Sequence, residues 1–182
     1  MSERKQLGMV ADVTKLAGFE FTKYMDYVPD GEIIAIRALN LRNGRLVLDD
    51  VQRITKEVSD VLERSKLHPG DIVLSYTGTI GECAQIKTDG EYHLAPNVAK
   101  ISPNPDAIDP AFLFHYIRSK EFRQQMLNYA HGSTQLTVPM KVIRELSIPV
   151  FDRRTEKQIA RILSVLDSKI ENNIKINDNL AA

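Results

Sequence analysis

The chain has 182 residues, of which 43% are hydrophobic and 26% charged, proportions typical of a globular protein with one ordinary domain and an appendage. Its 24 basic and 24 acidic residues give a net charge of zero, which argues against a uniformly basic nucleic-acid coat. A single cysteine, Cys83, excludes a disulfide framework and a cysteine-built zinc site, and no run of about 18 apolar residues offers a membrane span. We therefore expect a soluble, cytoplasmic protein without a signal peptide.

The first third of the chain predicts a strand and a tight turn. Little periodicity is found between Leu7 and Tyr27. The apolar run Glu32–Leu39 predicts a buried strand, and Asn43-Gly44 predicts a tight turn from which the short strand Arg45–Leu48 returns. Three polar residues crowd this turn: Arg42, Asn43 and Arg45. Both a solvated hairpin tip and a loop that reaches into a groove are consistent with them.

The middle of the chain predicts a β-rich meander. A helix is expected over residues 52–66, and its inward side chains would be Ile54, Val58, Val61 and Leu62. Four strands follow: Asp71–Tyr76, Glu82–Ile86, Tyr92–Leu94 and Val98–Ile101. The third of these is expected to pair back onto the second. The glycine-rich loop Thr77–Gly81 joins the first two.

Helices and a final strand are predicted for the rest of the domain. Asp109-Pro110 is an N-cap followed by proline at the first helical position, so one helix, or two joined near Ser119, begins there. The polar loop Ser133–Thr137 then leads through a helical turn to a strand at Leu146–Val150. We therefore predict an α+β fold, in which a β-rich domain with helices occupies residues 1–150 and one long helix occupies residues 151–182.

The long C-terminal helix carries an apolar stripe. Thr155 and Gln158 have the spacing of a capping box, so the helix is expected to begin at Thr155. Residues on or beside the stripe recur with helical period: Ile159, Ile162, Leu163, Leu166, Ile170, Asn173, Ile174 and Asn177. A helix of roughly 40 Å outruns the face of a small domain, so the stripe favours pairing with another helix, where buried asparagines would fix the register. A helix that lies on its own domain is the alternative.

The search for catalytic motifs finds none. Gly78-Thr79-Ile80-Gly81 lacks the remaining residues of a phosphate or dinucleotide loop, and the four histidines have no metal-ligand spacing. We expect no enzyme activity, metal or cofactor. Residues 115–157 hold eight Lys or Arg against four Asp or Glu, a local excess that favours a polyanion. Polar loop and basic side chains are the groups that contact phosphates and base edges, and the candidates for DNA contact are Arg42, Asn43, Arg45, Thr77, Thr79, Ser133, Thr134, Gln135 and Lys141.

Several motifs, in this order, resemble the target-recognition domain of Type I restriction-modification specificity (S) subunits. They are Gly70–Ser75 with Gly78–Gly81, Ala95–Ile101, Phe112-Leu113 with Tyr116, Gly132–Thr134, and Ile148-Pro149 followed by Glu156–Ala160. The resemblance extends over about residues 7–175. It implies a non-catalytic subunit that recognises double-stranded DNA and directs methyltransferase and restriction subunits to a bipartite target.

The chain departs from the family pattern in its length. Specificity subunits usually carry two recognition domains and two long helices in one chain, whereas this chain has one of each. It therefore resembles a half-subunit that forms a homodimer through an antiparallel coiled coil, or a fragment of a full two-domain subunit. An oligomerising protein–protein adaptor that does not bind DNA is the alternative from another functional class.

Overall fold

The computed structural model describes residues 3–181, apart from the side chains at positions 178, 180 and 181, so residues 1, 2 and 182 of the predicted ranges lie outside it. The strands are β1 (Glu3–Gln6), β2 (Ala11–Lys15), β3 (Ile33–Ile36), β4 (Leu41–Arg42), β5 (Arg45–Leu46), β6 (Gln52–Ile54), β7 (Lys66–Leu67), β8 (Ile72–Ser75), β9 (Cys83–Gln85), β10 (Tyr92–Leu94), β11 (Val98–Pro103) and β12 (Ser147–Val150). The helices are α1 (Leu7–Val10), α2 (Gly18–Tyr24), α3 (Lys56–Val61), α4 (Pro110–Ile117), α5 (Lys120–Asn128), α6 (Met140–Glu145) and α7 (Arg153–Ala181). The predicted α+β fold with one long C-terminal helix is confirmed, whereas the pairing of that helix with a second one stays a prediction.

Strand β8 lies at the centre of the domain because both of its faces are buried. Alternate side chains of a strand point to opposite faces. Ile72 and Leu74 accordingly enter one apolar core, whereas Val73 enters another, and all three are completely buried. β8 pairs antiparallel with β9 and with β11, where Leu74 lies opposite Ala99, in the four-stranded sheet β2-β11-β8-β9.

The two cores give the domain three layers. The first core lies between this sheet and the helices, which contribute fully buried side chains such as Leu113 and Phe122. The second core joins Val73 to the second four-stranded sheet, β6-β3-β10-β7, through Ile36 and Leu94. In this sheet β10 runs parallel to β3 and antiparallel to β7. Two shorter antiparallel pairs, β1-β12 and β4-β5, complete the described strands.

Three local predictions are wrong. Residues 52–66 do not form one helix, since Gln52–Ile54 is strand β6, paired with β3, and only Lys56–Val61 is α-helical. Val61, expected to face inward, is 63% exposed. Tyr92–Leu94 does not pair with the strand before it but joins the other sheet, so the middle of the chain contributes to two sheets and is not a meander. The chain before Tyr27, in which the sequence shows no pattern, folds into α1, β2 and α2.

Elements whose ends are marked by helix-capping or turn residues form where the sequence predicts them. The Asp109 carboxylate accepts the N–H groups of Ala111 and Phe112 at 3.1 and 3.0 Å, and proline follows at the first position of α4. Ser119 caps α5 in the same way, so of the two alternatives the structure has two helices joined near Ser119. Asn43 and Gly44 have φ angles of 52° and 80° and form the tight turn between β4 and β5.

Helix α7 is fixed to the domain at its first turn. It begins two residues before the predicted start because Asp152, and not Thr155, caps it: the Asp152 carboxylate accepts the Thr155 N–H at 3.0 Å. Glu156 is 1% exposed, and its carboxylate accepts the N–H groups of Asp109 at 2.8 Å and Phe151 at 3.2 Å. The 29 residues of α7 extend over roughly 43 Å. Neither α7 nor any other helix within residues 3–181 is long and apolar enough to cross a lipid bilayer.

Candidate nucleic-acid interface

The two polar loops predicted as candidate sites lie side by side. The hydroxyl oxygens of Thr77 and Thr137 are 2.5 Å apart, and the Gly78 N–H donates to the Leu136 carbonyl at 2.9 Å. Gly78 has a φ of 76°, and a β-carbon at this position would lie 2.9 Å from the Gln135 side-chain nitrogen. Glycine therefore permits both the turn and the close approach of the two loops. Loops 60 residues apart in sequence thus form one surface.

The loop after β8 is held in place from inside the domain. Ser75, the last residue of β8, is completely buried. Its hydroxyl donates to the Thr79 carbonyl and accepts the Glu82 N–H at 3.1 Å. The Ser75 carbonyl also accepts the Gly81 N–H at 3.0 Å. Because one buried residue satisfies three backbone groups of the loop, the Thr79 side chain is presented by a fixed backbone.

An open groove of about 390 Å³ lies beside these loops. Five separate stretches of the chain contribute polar or aromatic side chains to it: Tyr27, Arg37, Thr77, Thr79, Asn97 and Gln135. Hydroxyl and amide groups can both donate to and accept from base edges, and a guanidinium can contact phosphates or guanine. The groove, which we call the loop groove, therefore has the hydrogen-bonding chemistry of a nucleic-acid interface.

Arg37 and Tyr27 form one side of the loop groove. The Arg37 Nη2 donates to the Asp50 carbonyl at 3.0 Å and lies 3.2 Å from an Asp50 carboxylate oxygen, which fixes the guanidinium. Among the described groups, the buried Arg37 Nε has no hydrogen-bond partner. Burial raises the pKa of Tyr27, an effect that Arg37 opposes, so the phenol stays protonated at neutral pH and can donate a hydrogen bond.

The hairpin candidates do not line the loop groove, and Asn43 and Arg45 line two other clefts. The Asn43 N–H donates to the Glu82 carboxylate at 2.8 Å, and Asn43 lines a cleft of about 250 Å³ with Arg118 and Arg123. Arg42, at the end of β4, is exposed, and Arg45 is half-buried. The three predicted hairpin residues are therefore grouped with one another but do not line the loop groove.

The other predicted candidates are exposed but are not groove-lining residues. Ser133 and Thr134 belong to the same loop as Gln135 and are both exposed. Lys141 lies in α6 with 85% of its side chain exposed, 4.0 Å from Glu145. The structure thus brings Thr77, Thr79 and Gln135 together at the loop groove. Ser133, Thr134 and Lys141 lie on the exposed surface.

Cys83, the only cysteine of the chain, is a core residue. It is 2% exposed, and burial raises the pKa of its thiol to about 12, so the thiol stays protonated at neutral pH. Within residues 3–181 no group of three or more His, Cys, Asp and Glu side chains is placed to hold a metal ion.

Helix α7 lies on its own domain through polar contacts and leaves most of its apolar stripe uncovered. Ser164 Oγ is 3.0 Å from His115 Nε2, and the Asp167 carboxylate accepts both terminal N–H groups of Arg118. Ile159 is the one stripe residue that packs against the core. The remaining residues of the predicted seam are exposed: Ile162 (63%), Leu163 (37%), Leu166 (52%), Ile170 (52%), Asn173, Ile174 (42%) and Asn177. Packing on the domain and an uncovered apolar stripe therefore occur together.

Comparison with known proteins identifies the family. The model of the family described as "Type I restriction modification DNA specificity domain" matches residues 2–182. The chain belongs to this family. Specificity domains similar to it include the EcoBI specificity subunit of Escherichia coli, 26% identical over 136 residues, which are 75% of this chain and 28% of that one. The StySPI specificity subunit of Salmonella potsdam is 22% identical over 151 residues, which are 81% of this chain and 32% of that one.

Solved S subunits share the fold of this specificity domain. The S subunit from M. genitalium has a TM-score of 0.64 at 17% identity, covering 94% of this chain and 40% of that one. The HsdS subunit from Thermoanaerobacter tengcongensis has a TM-score of 0.61 at 12% identity, covering 93% and 38%. In these alignments the specificity domain spans less than half the length of the relatives.

Four arginines of the basic segment, residues 115–157, are engaged within the specificity domain, and a fifth cation, Lys141, lies 4.0 Å from Glu145 on the same helix. Arg118 pairs with Asp167, Arg123 lies 3.8 Å from Glu82, Arg153 lies 3.5 Å from Glu156, and Arg144 donates to the Val13 carbonyl at 2.7 Å. The other four basic residues are exposed: Lys120, Lys141, Arg154 and Lys157. We therefore expect phosphate contacts from these four and not from the whole segment.

Three of the polar or aromatic groove residues were not predicted as site residues: Tyr27, Arg37 and Asn97. Arg37 has a sequence signal, since it is a lone charge at the end of the apolar run Ile33–Ile36. Asn97 lies within a family-like motif and has a φ of 70°, which is uncommon for a residue other than glycine. Tyr27 follows an irregular stretch and has no comparable signal.

Proposed function

We propose that this chain is a sequence-specific DNA-recognition subunit of a Type I-like restriction-modification complex and has no catalytic activity of its own. Membership of the DNA specificity domain family supports the class of function. The loop groove supports DNA recognition by this part of the chain, because Thr79, Asn97 and Gln135 come together there beside Arg37 from distant parts of the sequence. These side chains offer both hydrogen-bond donors and acceptors, which sequence recognition requires.

The two parts of the chain would have different roles. Residues 1–150 would form the target-recognition domain, because both apolar cores and the loop groove lie there almost entirely. Residues 151–182 would form a spacer and dimerisation helix. The exposed lysines and arginines of the basic segment would contact phosphates, and the groove side chains would contact base edges.

We propose that the subunit is a homodimer in which two α7 helices pair as an antiparallel coiled coil. Full burial of a large apolar side chain contributes about 1.5–3 kcal/mol, so a half-exposed one gains about 1 kcal/mol on pairing. Summed over both helices, this gain is of the order of the association cost of about 4–15 kcal/mol. Asn173 and Asn177, both exposed, would fix the register of the seam.

The partners of the proposed dimer are double-stranded DNA and the methyltransferase and restriction subunits of a cytoplasmic complex. One of the similar solved structures, with a TM-score of 0.64, is described as showing complex assembly and conformational transition of the Type I restriction-modification system. The dimer would direct its partner subunits to a bipartite DNA target without a cofactor of its own.

The experiment that tests the proposed function is DNA binding at several salt concentrations. The purified chain, with its methyltransferase subunit present, is titrated into labelled random duplexes and into duplexes enriched by selection. We expect tighter binding to the enriched duplexes and a steep loss of affinity with salt, because phosphate contacts release counterions. Arg37→Ala should reduce the preference for the enriched duplexes more than the control Lys5→Ala, since Lys5 is a half-buried lysine of β1 that does not line the loop groove. A complex that assembles but shows neither sequence preference nor salt dependence would contradict the proposal and favour a protein–protein adaptor.

A further inference from the structure

Arg118, which follows the last residue of α4, is joined to the long helix by a two-pronged ion pair. Its two terminal nitrogens donate to the two carboxylate oxygens of Asp167 in the middle of α7, one of them at 3.2 Å. Both side chains are partly buried, with 26% and 36% exposed. A bidentate arginine–carboxylate pair fixes orientation as well as distance. The position of Asp167, and with it of α7, therefore depends on where the Arg118 guanidinium lies.

The same guanidinium supports the tip of the hairpin formed by β4 and β5. A β-carbon on Gly44 would lie 2.4 Å from Arg118 Nε and 2.7 Å from its Cζ, so the hairpin backbone rests directly on the guanidinium. Gly44 also has a φ of 80°, which disfavours other residues at this position. The Phe114 ring centroid lies 5.2 Å from Cζ, within the range of a cation–π contact.

The other groups around this contact do not replace Arg118. His115 Nδ1 lies 3.8 Å from the Asp167 carboxylate, but burial lowers the pKa of His115, which favours the neutral imidazole. On the hairpin side, the Glu82 carboxylate accepts the Asn43 N–H and lies 3.8 Å from Arg123. Arg118 thus contacts both the hairpin and α7, while Lys87 and Glu171, which lie 3.9 Å apart, line a separate cleft with Gly44 and Arg45.

We propose that Arg118 is a positioning residue that couples the β4–β5 hairpin to helix α7. A displacement of α7 at Asp167 would release the guanidinium, and with it the support under Gly44. The hairpin carries Arg42 and Arg45, so the placement of these two cations follows the placement of the long helix. In the proposed complex, this contact would link DNA contact at the hairpin to the angle of the spacer helix, a consequence that rests on the proposed function.

Hydrogen–deuterium exchange of the full chain tests the coupling without DNA. Asp167→Asn removes the charge on α7 and leaves the hairpin sequence unchanged. We expect exchange of the amides of residues 41–46 to accelerate about fivefold, since a partly exposed ion pair contributes on the order of 1 kcal/mol. Asp167→Glu, which restores the carboxylate, should recover most of the protection. Unchanged exchange at residues 41–46 in Asp167→Asn would overturn the proposal.

Lys169→Gln is the control. Lys169 is exposed on α7 two residues beyond Asp167, whereas Glu171 lines a cleft with Gly44 and Arg45 and is unsuited to this purpose. Neutralisation of Lys169 should leave exchange at residues 41–46 unchanged, and an equal acceleration would show that any charge loss on α7 loosens the hairpin, which would also overturn the proposal. Because this readout involves no DNA, its failure is distinguishable from failure of the proposed function.

Discussion

Replacing Glu156 with alanine tests whether the first turn of α7 holds the helix on the domain. The carboxylate is 1% exposed and accepts the N–H groups of Asp109 at 2.8 Å and Phe151 at 3.2 Å. A hydrogen bond to a charged group contributes about 1.5–3 kcal/mol, and an unpaired buried N–H costs about 1–3 kcal/mol. Because alanine removes both acceptors, we expect the free energy of unfolding to fall by about 3–5 kcal/mol.

The assay is thermal unfolding at neutral pH, followed by circular dichroism. For a chain of this size each 1 kcal/mol shifts Tm by about 2–4 °C, so Glu156→Ala should lower Tm by about 10 °C. Glu171→Ala is the control, because its carboxylate lies on the same helix with 42% of the side chain exposed. It should change stability by no more than about 0.5 kcal/mol. Equal Tm values for the two variants would refute the role assigned to Glu156.

Three further outcomes are expected. Leu166→Asp combined with Ile170→Asp should turn dimers into monomers in sedimentation velocity, since both side chains are 52% exposed in the proposed seam; a monomeric wild type would contradict the pairing. Gln135→Ala should change the bases preferred in a binding selection, whereas Lys141→Ala should weaken all sequences alike and lower the salt slope by about one; equal, sequence-blind losses would place the reading surface elsewhere. Burial lowers the pKa of His93 in the folded state below its unfolded value. The contribution of neutral His93 to stability is therefore complete above about pH 6.5 and is lost as the pH falls below that value. The urea concentration at the unfolding midpoint should be lower at about pH 5.5 than at about pH 7.5, and a decrease of equal size in His93→Gln would contradict this.

The elements that could be predicted from the sequence are those specified by neighbouring residues. Asp109 and Pro110 define the start of α4 within two positions, and Asn43-Gly44 defines a turn by itself. The fully buried strand β8 is predicted by its unbroken apolar run, because both faces meet a core. These signals depend little on the rest of the fold.

The predictions that failed depend on long-range contacts. Tyr92–Leu94 has the pattern of a strand, but its partners, β3 and β7, lie about 25 to 60 residues away in sequence, and no local feature selects them. Ile54 has the spacing of an inward helical residue, yet pairing with β3 places it in strand β6. Tertiary pairing overrides local propensity at both positions.

The same limit applies to the functional surface. The polar loops at Thr77–Gly81 and Ser133–Thr137 could be predicted as surfaces, but not that they touch each other. The periodicity of α7 shows which face is apolar, but it does not show that polar residues such as Ser164 and Asp167 contact the domain. Arg37 and Asn97 join the loop groove only through the fold.

We propose that this chain recognises DNA sequence as a symmetric pair. A two-fold dimer requires a target with two identical half-sites. Antiparallel helices of roughly 40 Å would separate the two recognition domains by about one turn of B-DNA, close to 34 Å.

The most direct test is selection of bound sequences from random duplexes by the chain assembled with its methyltransferase subunit, followed by sequencing. We predict a split palindrome with an unread spacer, whose length changes when four residues are inserted in α7. Two unlike half-sites bound by a pure homodimer, or no enriched sequence at all, would contradict the account.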